Sequence, residues 1–161
     1  MHTAPGKGST FEIYLPTADG VPAPPAGESY DEVEVKQSAT VLVVDDDRAV
    51  RAIIAVGLES LGHRVILATG GREACELYRR HAGDIDLVLL DLTMPEMNGE
   101  QTLSALRELN QGVRALVMTG YAEEDVRERF QAAELAGFLW KPFSRQELVT
   151  TVKAALGPFS A

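Results

Sequence analysis

Five short apolar runs, at 41–44, 65–68, 87–90, 115–118 and 138–140, are separated by longer stretches whose apolar residues recur at helical spacing. Strand and helix signals alternating in this way specify βα units packed around a parallel sheet. Most of the runs are continuously apolar rather than alternating, as strands covered on both faces must be. The expectation is an α/β, doubly wound fold of five units. Val50, Ile53, Ile54, Gly57, Leu58 and Leu61 mark the first helix, and Gly62 is expected to end it. Leu103, Leu106 and Leu109 mark another, as do Val126, Phe130 and Ala133, and also Leu148, Val152, Ala155 and Leu156. A weaker stripe over 71–81 carries Ala74, Leu77, Tyr78 and His81. All these apolar residues are assigned to the core.

Composition shifts near residue 39. Residues 17–39 hold Pro22, Pro24, Pro25, Gly20, Gly27 and five acids (Asp19, Glu28, Asp31, Glu32, Glu34) with little to bury, which reads as a linker. Ahead of it, Phe11, Ile13 and Leu15 alternate with Glu12 and Tyr14 and stop at Pro16, giving one half-buried strand after a glycine-rich turn. A lone strand is not stable in water, so 1–16 is expected to be the end of another domain. The division is therefore 1–16, a linker 17–39, a domain 40–157 and a tail 158–161. No apolar run approaches the roughly 18 residues a bilayer crossing needs, and a cytoplasmic location is expected. A net charge of −9 argues against nucleic acid as partner. The one cysteine, Cys75, excludes an internal disulfide and a multi-thiolate metal site, and is expected to be a small buried residue.

The polar residues just past the strands carry the chemistry. Asp45, Asp46 and Asp47 follow the first, Asp91 the third, Thr119 the fourth and Lys141 the fifth. In an open parallel sheet all strand carboxyl ends share one edge, where ligands bind. Crowded carboxylates call for a cation, and Mg²⁺ takes oxygen ligands of this kind together with phosphate and water. With a lysine and a hydroxyl beside it, such a cluster suits phosphoryl transfer, and a carboxylate can itself be the nucleophile. Asp47 is assigned to capping the following helix rather than to metal binding.

VLVVDDD (41–47), LVLLDLTMPEMNG (87–99), LVMTGYA (116–122) and AGFLWKPF (136–143) together resemble the response-regulator receiver domain, over about three quarters of the chain. The resemblance implies the flavodoxin-like (βα)5 three-layer fold, with a five-stranded parallel sheet of order 2-1-3-4-5. It makes Asp91 the phosphoacceptor. Asp46 and Asp91 become direct Mg²⁺ ligands, with the main-chain carbonyl of Thr93 and, through water, Asp45. Lys141 and Thr119 would hold phosphoryl oxygens, and Lys141–Pro142 would be cis. Thr119 and Phe138 would form the switch, acting on the face made by the helix over 123–133, the last strand and the helix over 145–156. Phe138 stands where a tyrosine is frequent, so the switch is expected to work by packing. Thr93 offers no group to orient a water and Tyr121 can shield the phosphoryl group, so slow self-dephosphorylation is expected.

PGKGSTFEIYLP (5–16) resembles the closing segment of the ATP-binding domain of sensor histidine kinases. Without that family's other nucleotide boxes, Gly6 and Gly8 are not expected to bind ATP, and the fragment is not expected to act as a kinase. Kinase end, linker and receiver in this order predict a hybrid histidine kinase, whose parent chain can be membrane-anchored. The phosphodonor would be a histidine kinase dimerisation domain or a histidine phosphotransfer protein, since His63 and His81 lack a donor's context and read as structural or exposed. The alternatives are a free-standing single-domain response regulator, a phosphorylation-independent interaction module, and a haloacid-dehalogenase-type phosphatase using Asp45 and Asp47. The last lacks that family's further acidic pair, for only Glu147 follows Lys141.

Overall fold

A computed structural model of the chain describes residues 2–3, 9–10, 38–120 and 135–157. The strand expected at 11–15, most of the linker, Tyr121, the helix expected over 123–133 and the tail lie outside the described residues. The chain divides into two compact units, Met1–Glu34 and Val35–Ala161. In the first, β1 (His2–Thr3) pairs antiparallel with β2 (Ser9–Thr10) across the glycine-bearing stretch, His2 opposite Thr10.

The second unit contains β3 (Thr40–Val44), α1 (Arg48–Glu59), β4 (Arg64–Ala68), α2 (Gly71–Arg80), β5 (Leu87–Asp91), α3 (Gly99–Leu109), β6 (Ala115–Thr119), β7 (Gly137–Trp140) and α4 (Arg145–Leu156). The five strands from β3 onward form one sheet in the order β4-β3-β5-β6-β7, every neighbouring pair parallel. Counted alone they run 2-1-3-4-5, as the resemblance implied.

Successive side chains of a strand point to opposite faces, and two separate cores result. Leu42, Val44, Val88, Leu90 and Val117 pack against Ala74 and Tyr78 of α2 and Leu103 and Leu106 of α3. Val41, Val43, Leu87, Leu89, Leu116 and Met118 pack against Ile54 and Leu58 of α1 and Leu148 and Val152 of α4. Covering on both faces is why β3, β5 and β6 read as unbroken apolar runs. Asp47, Asn98 and Ser144 cap α1, α3 and α4 by accepting from main-chain N–H groups, the last two within capping boxes.

Several apolar residues assigned to the core lie outside it. Ile53 is 66% exposed, on the outer side of α1, in an open groove with Val56, Phe143 and Leu148, while Ala55 is buried. Leu67 is exposed because β4 is an edge of the sheet, and Leu109 because α3 ends there. Leu61 lies past the end of α1, which closes at Ser60 rather than at Gly62. Gly62 instead takes φ +84° in the turn that follows, a conformation glycine adopts without strain. Cys75 is buried, as expected.

His63 is structural. Its Nδ1 accepts from Ala39 N–H at 3.2 Å, while Asp86 accepts from Thr40 N–H at 2.7 Å, so the start of β3 is held from both neighbouring strands. Burial, then the Lys153 charge, lowers the His63 pKa below its ordinary value, with Asp86 opposing. The unfolded chain therefore takes up a proton at a pH where the fold does not, and stability from this group is lost as the pH falls below about 6.5. A lower urea midpoint at pH 5 than at pH 7 is expected, with a smaller difference in His63→Gln. Equal differences in the two proteins would show that His63 does not contribute.

Candidate phosphoacceptor site

The carboxyl ends of β3, β5, β6 and β7 bring the polar residues together. Asp45 and Asp46 leave β3, Asp91 ends β5, Thr119 ends β6 and Lys141 follows β7. β3 and β5 are adjacent, and the strand order reverses between them, which is the place an open α/β sheet offers a ligand. Carboxylate oxygens of Asp45, Asp46 and Asp91 lie within 4.8 Å of one another.

Lys141 Nζ donates to Asp45 Oδ2 at 2.7 Å and lies 3.1 Å from Asp91 Oδ1. The other oxygen of Asp45 accepts from Asp47 N–H at 2.8 Å, so protein donors meet both oxygens of this nearly fully buried acid. Asp46 is exposed. Asp47 is turned away into its cap, accepting from Ala49 N–H at 2.7 Å, which removes it from any acid pair with Asp45. Thr119 is buried, and its carbonyl accepts from Lys141 N–H at 2.7 Å, tying the ends of β6 and β7. Lys141–Pro142 is cis.

Burial pushes the Asp91 carboxyl above the ordinary aspartate pKa. Lys141 and the Thr93 main-chain N–H, which bond to it, pull the other way, and Asp45 adds to the rise. Burial also presses Lys141 toward its neutral form, but its hydrogen bonds to Asp45 and Asp91 outweigh this and its pKa stands above the usual lysine value. The pocket thus holds a charged ammonium against a carboxylate that is poorly solvated and correspondingly basic.

Two contributors escaped the sequence reading. Arg51 Nη1 donates to the Asp45 carbonyl at 2.5 Å, fastening the acidic loop to α1. Gly99 lies so close to β5 that an added Cβ would fall 2.5 Å from the Asp91 carbonyl. The helical position of Arg51, six residues after Asp45, was a visible signal for the first. Nothing local signalled the second.

A flavodoxin-like sheet with clustered acids and one lysine at its carboxyl edge defines the CheY-like class of α/β domain. The chain belongs to the response regulator receiver domain family, whose model matches residues 41–153. It is 38% identical over 158 residues to the sensor kinase CckA of Brucella abortus (strain 2308), an alignment covering 94% of this chain and 17% of that kinase. The chain therefore spans about one sixth of that relative's length. Among solved structures it is similar to the receiver domain of the hybrid histidine kinase CckA (29% identity, TM-score 0.63, 73% of this chain and 99% of that one). It is also similar to a CheX–CheY–BeF3–Mg²⁺ complex from Borrelia burgdorferi (30% identity, TM-score 0.67, 71% of this chain and 86% of that one).

Proposed function

We propose that this chain is a phosphoacceptor module of a two-component phosphorelay that takes a phosphoryl group from a phosphohistidine onto Asp91. The observation that carries the reading is Asp91 at the end of β5, buried, with Lys141 Nζ at 3.1 Å and two further acids beside it. An Asp91 oxygen attacks phosphorus as the phosphorus–nitrogen bond breaks. The imidazole leaves with the electron pair and takes up a proton from solvent. Lys141 meets the charge on the phosphoryl oxygens, and Thr119, at the end of the next strand, is assigned another of them.

Three carboxylates within reach of one another form an all-oxygen donor set that fits a hard divalent ion. The ion would be held by Asp46, Asp91 and the Thr93 carbonyl, with Asp45 behind a water. Engagement of both Asp45 oxygens by protein donors supports that secondary place. Bound Mg²⁺ would neutralise phosphoryl charge. That a similar protein was solved in a complex with BeF3 and Mg²⁺ supports Mg²⁺ as the ion.

Residues 1–16 are read as a kinase ATP-binding remnant, 17–39 as linker and 40–157 as the receiver of a hybrid histidine kinase. The alignment to the sensor kinase supports this, for it runs through 94% of the chain, beyond the 41–153 that the receiver model matches. Either a kinase dimerisation domain or a histidine phosphotransfer protein fits as donor. A free-standing regulator leaves the aligned leading segment without a role.

Acetyl phosphate with Mg²⁺ should add one phosphoryl group by intact mass, located at Asp91 on peptide mapping, and decay should be slow and faster in Tyr121→Ala. Incorporation elsewhere, or none, would sink the reading. In the same buffer, Mg²⁺ at about ten times its Kd should stabilise the domain by roughly 1.4 kcal/mol. The gain should vanish with EDTA and shrink in Asp46→Asn, and a melting temperature indifferent to Mg²⁺ would count against the metal assignment.

A further inference from the structure

We infer that Arg51 is a positioning residue for the magnesium site: it fixes the peptide plane that carries Asp46, and so raises both the affinity for Mg²⁺ and the preference for Mg²⁺ over Ca²⁺. The inference rests on the receiver reading above and deepens it. From within α1, Arg51 Nη1 donates to the Asp45 carbonyl at 2.5 Å. A peptide unit is planar, so the carbonyl oxygen of Asp45 and the N–H and Cα of Asp46 turn as one body. Holding that oxygen therefore holds the start of Asp46, the exposed acid assigned to the ion.

The residues on either side are tied at other points. Asp45 N–H donates to the Ala68 carbonyl of β4 at 3.3 Å, the Asp45 carboxylate is held by Lys141 and by Asp47 N–H, and Asp47 is bound into its helix cap. Asp46 lies between these two fixed residues, and the peptide plane joining it to the first is the one that Arg51 clamps. Arg51 is itself half-buried, beside an anchored anion of the next helix. Glu73 of α2 accepts from the Thr69 hydroxyl at 2.6 Å and from its N–H at 2.7 Å. These bonds lower the Glu73 pKa below the ordinary glutamate value, burial opposes them, and the Arg51 charge adds a smaller lowering.

On charge alone a guanidinium near a dication opposes binding, so removing it would tighten the site. Positioning works the other way, for a group that orients a metal's ligands carries roughly ten- to a hundredfold of the affinity. With Glu73 offsetting the guanidinium and Asp46 open to solvent, the charge effect is small, and the orienting effect decides the sign. The two ions differ in what they demand. Mg²⁺ needs near-octahedral ligands at short range, whereas Ca²⁺ accepts a looser oxygen shell. A loop released at Asp46 therefore loses affinity for Mg²⁺ more than for Ca²⁺.

The test titrates the full chain with Mg²⁺ and, separately, with Ca²⁺ by isothermal titration calorimetry. Arg51→Met, which keeps an unbranched stem and removes the donor, should bind Mg²⁺ roughly tenfold more weakly and Ca²⁺ no more than about threefold more weakly. Arg51→Lys keeps the charge but loses the planar fork, and should move the ratio of the two affinities the same way by a smaller factor. Arg48→Met removes an equal charge from the exposed start of α1 and should bind Mg²⁺ at native strength or more tightly. A variant that is only less stable lowers both affinities alike and leaves their ratio unchanged. Native or tighter Mg²⁺ binding in Arg51→Met, or equal weakening toward the two ions, would overturn the inference and leave the receiver reading standing. A native chain that binds neither ion, or whose Mg²⁺ affinity is unchanged by Asp46→Asn, would instead defeat the metal assignment, and this inference with it.

Discussion

Replacing Asp91 with asparagine is expected to reduce phosphoryl incorporation from acetyl phosphate by at least a hundredfold while raising the melting temperature. The amide keeps the shape of the side chain but has no anionic oxygen with which to attack phosphorus. The stability gain follows from burial, which raises the Asp91 pKa in the fold above its unfolded value. Stability from such a group is complete below the unfolded carboxylate value of about 3.9 and is lost as the pH rises through the folded one. Asparagine resembles the protonated acid at every pH, so its advantage should grow from pH 4 toward pH 7. Lys141 loses one partner but keeps Asp45 at 2.7 Å. A net gain of about 1 kcal/mol corresponds to roughly 4 °C. A less stable Asp91→Asn protein would show that the Lys141 pairing outweighs the desolvation. Labelling at the native rate would remove Asp91 from its role.

Gly99→Ala should cost about 3 kcal/mol, near 10 °C in melting temperature. Gly99 opens α3, and its N–H donates to the Leu92 carbonyl at 3.0 Å, pulling the helix start against the end of β5. A Cβ there would meet the Asp91 carbonyl at 2.5 Å and Leu92 Cα at 2.8 Å. Both are main-chain atoms, so no rotamer change relieves the overlap, and the better helix propensity of alanine, about 1 kcal/mol, offsets only part of it. Relief must part the start of α3 from the end of β5, which bears Asp91, and slower phosphoryl uptake should accompany the lost stability. Gly70→Ala is the control, since a Cβ at Gly70 meets nothing within 4 Å. Differential scanning calorimetry decides the point, and a Gly99→Ala protein as stable as the control would disprove the close approach.

The five strands and the polar residues at their ends were legible because both are local signals. A buried parallel strand must be apolar throughout, so the position where it turns polar marks its carboxyl end. Helix stripes were legible in period but not in orientation. Val50, Ile54 and Leu58 face the sheet, whereas Ile53, one residue from Ile54, faces the groove beside α4. Which flank of a stripe ends up outside depends on how the helix lies against its neighbour, and spacing within the helix carries no record of that.

The sequence alone determined which residues could reach the carboxyl edge of the sheet, and hence which acids, hydroxyl and amine share a pocket. Parallel strand direction puts them there whatever the side-chain details. Only the tertiary structure decided how they divide the work: that Lys141 binds Asp45, 96 positions away, as well as Asp91, and that Asp47 turns to its helix while Asp46 stays exposed. It also decided that Trp140 lies on Phe138 and that only glycine fits at position 99. These are matters of ångströms between segments distant in sequence, set by the close packing of helices on a twisted sheet, and no local pattern encodes them.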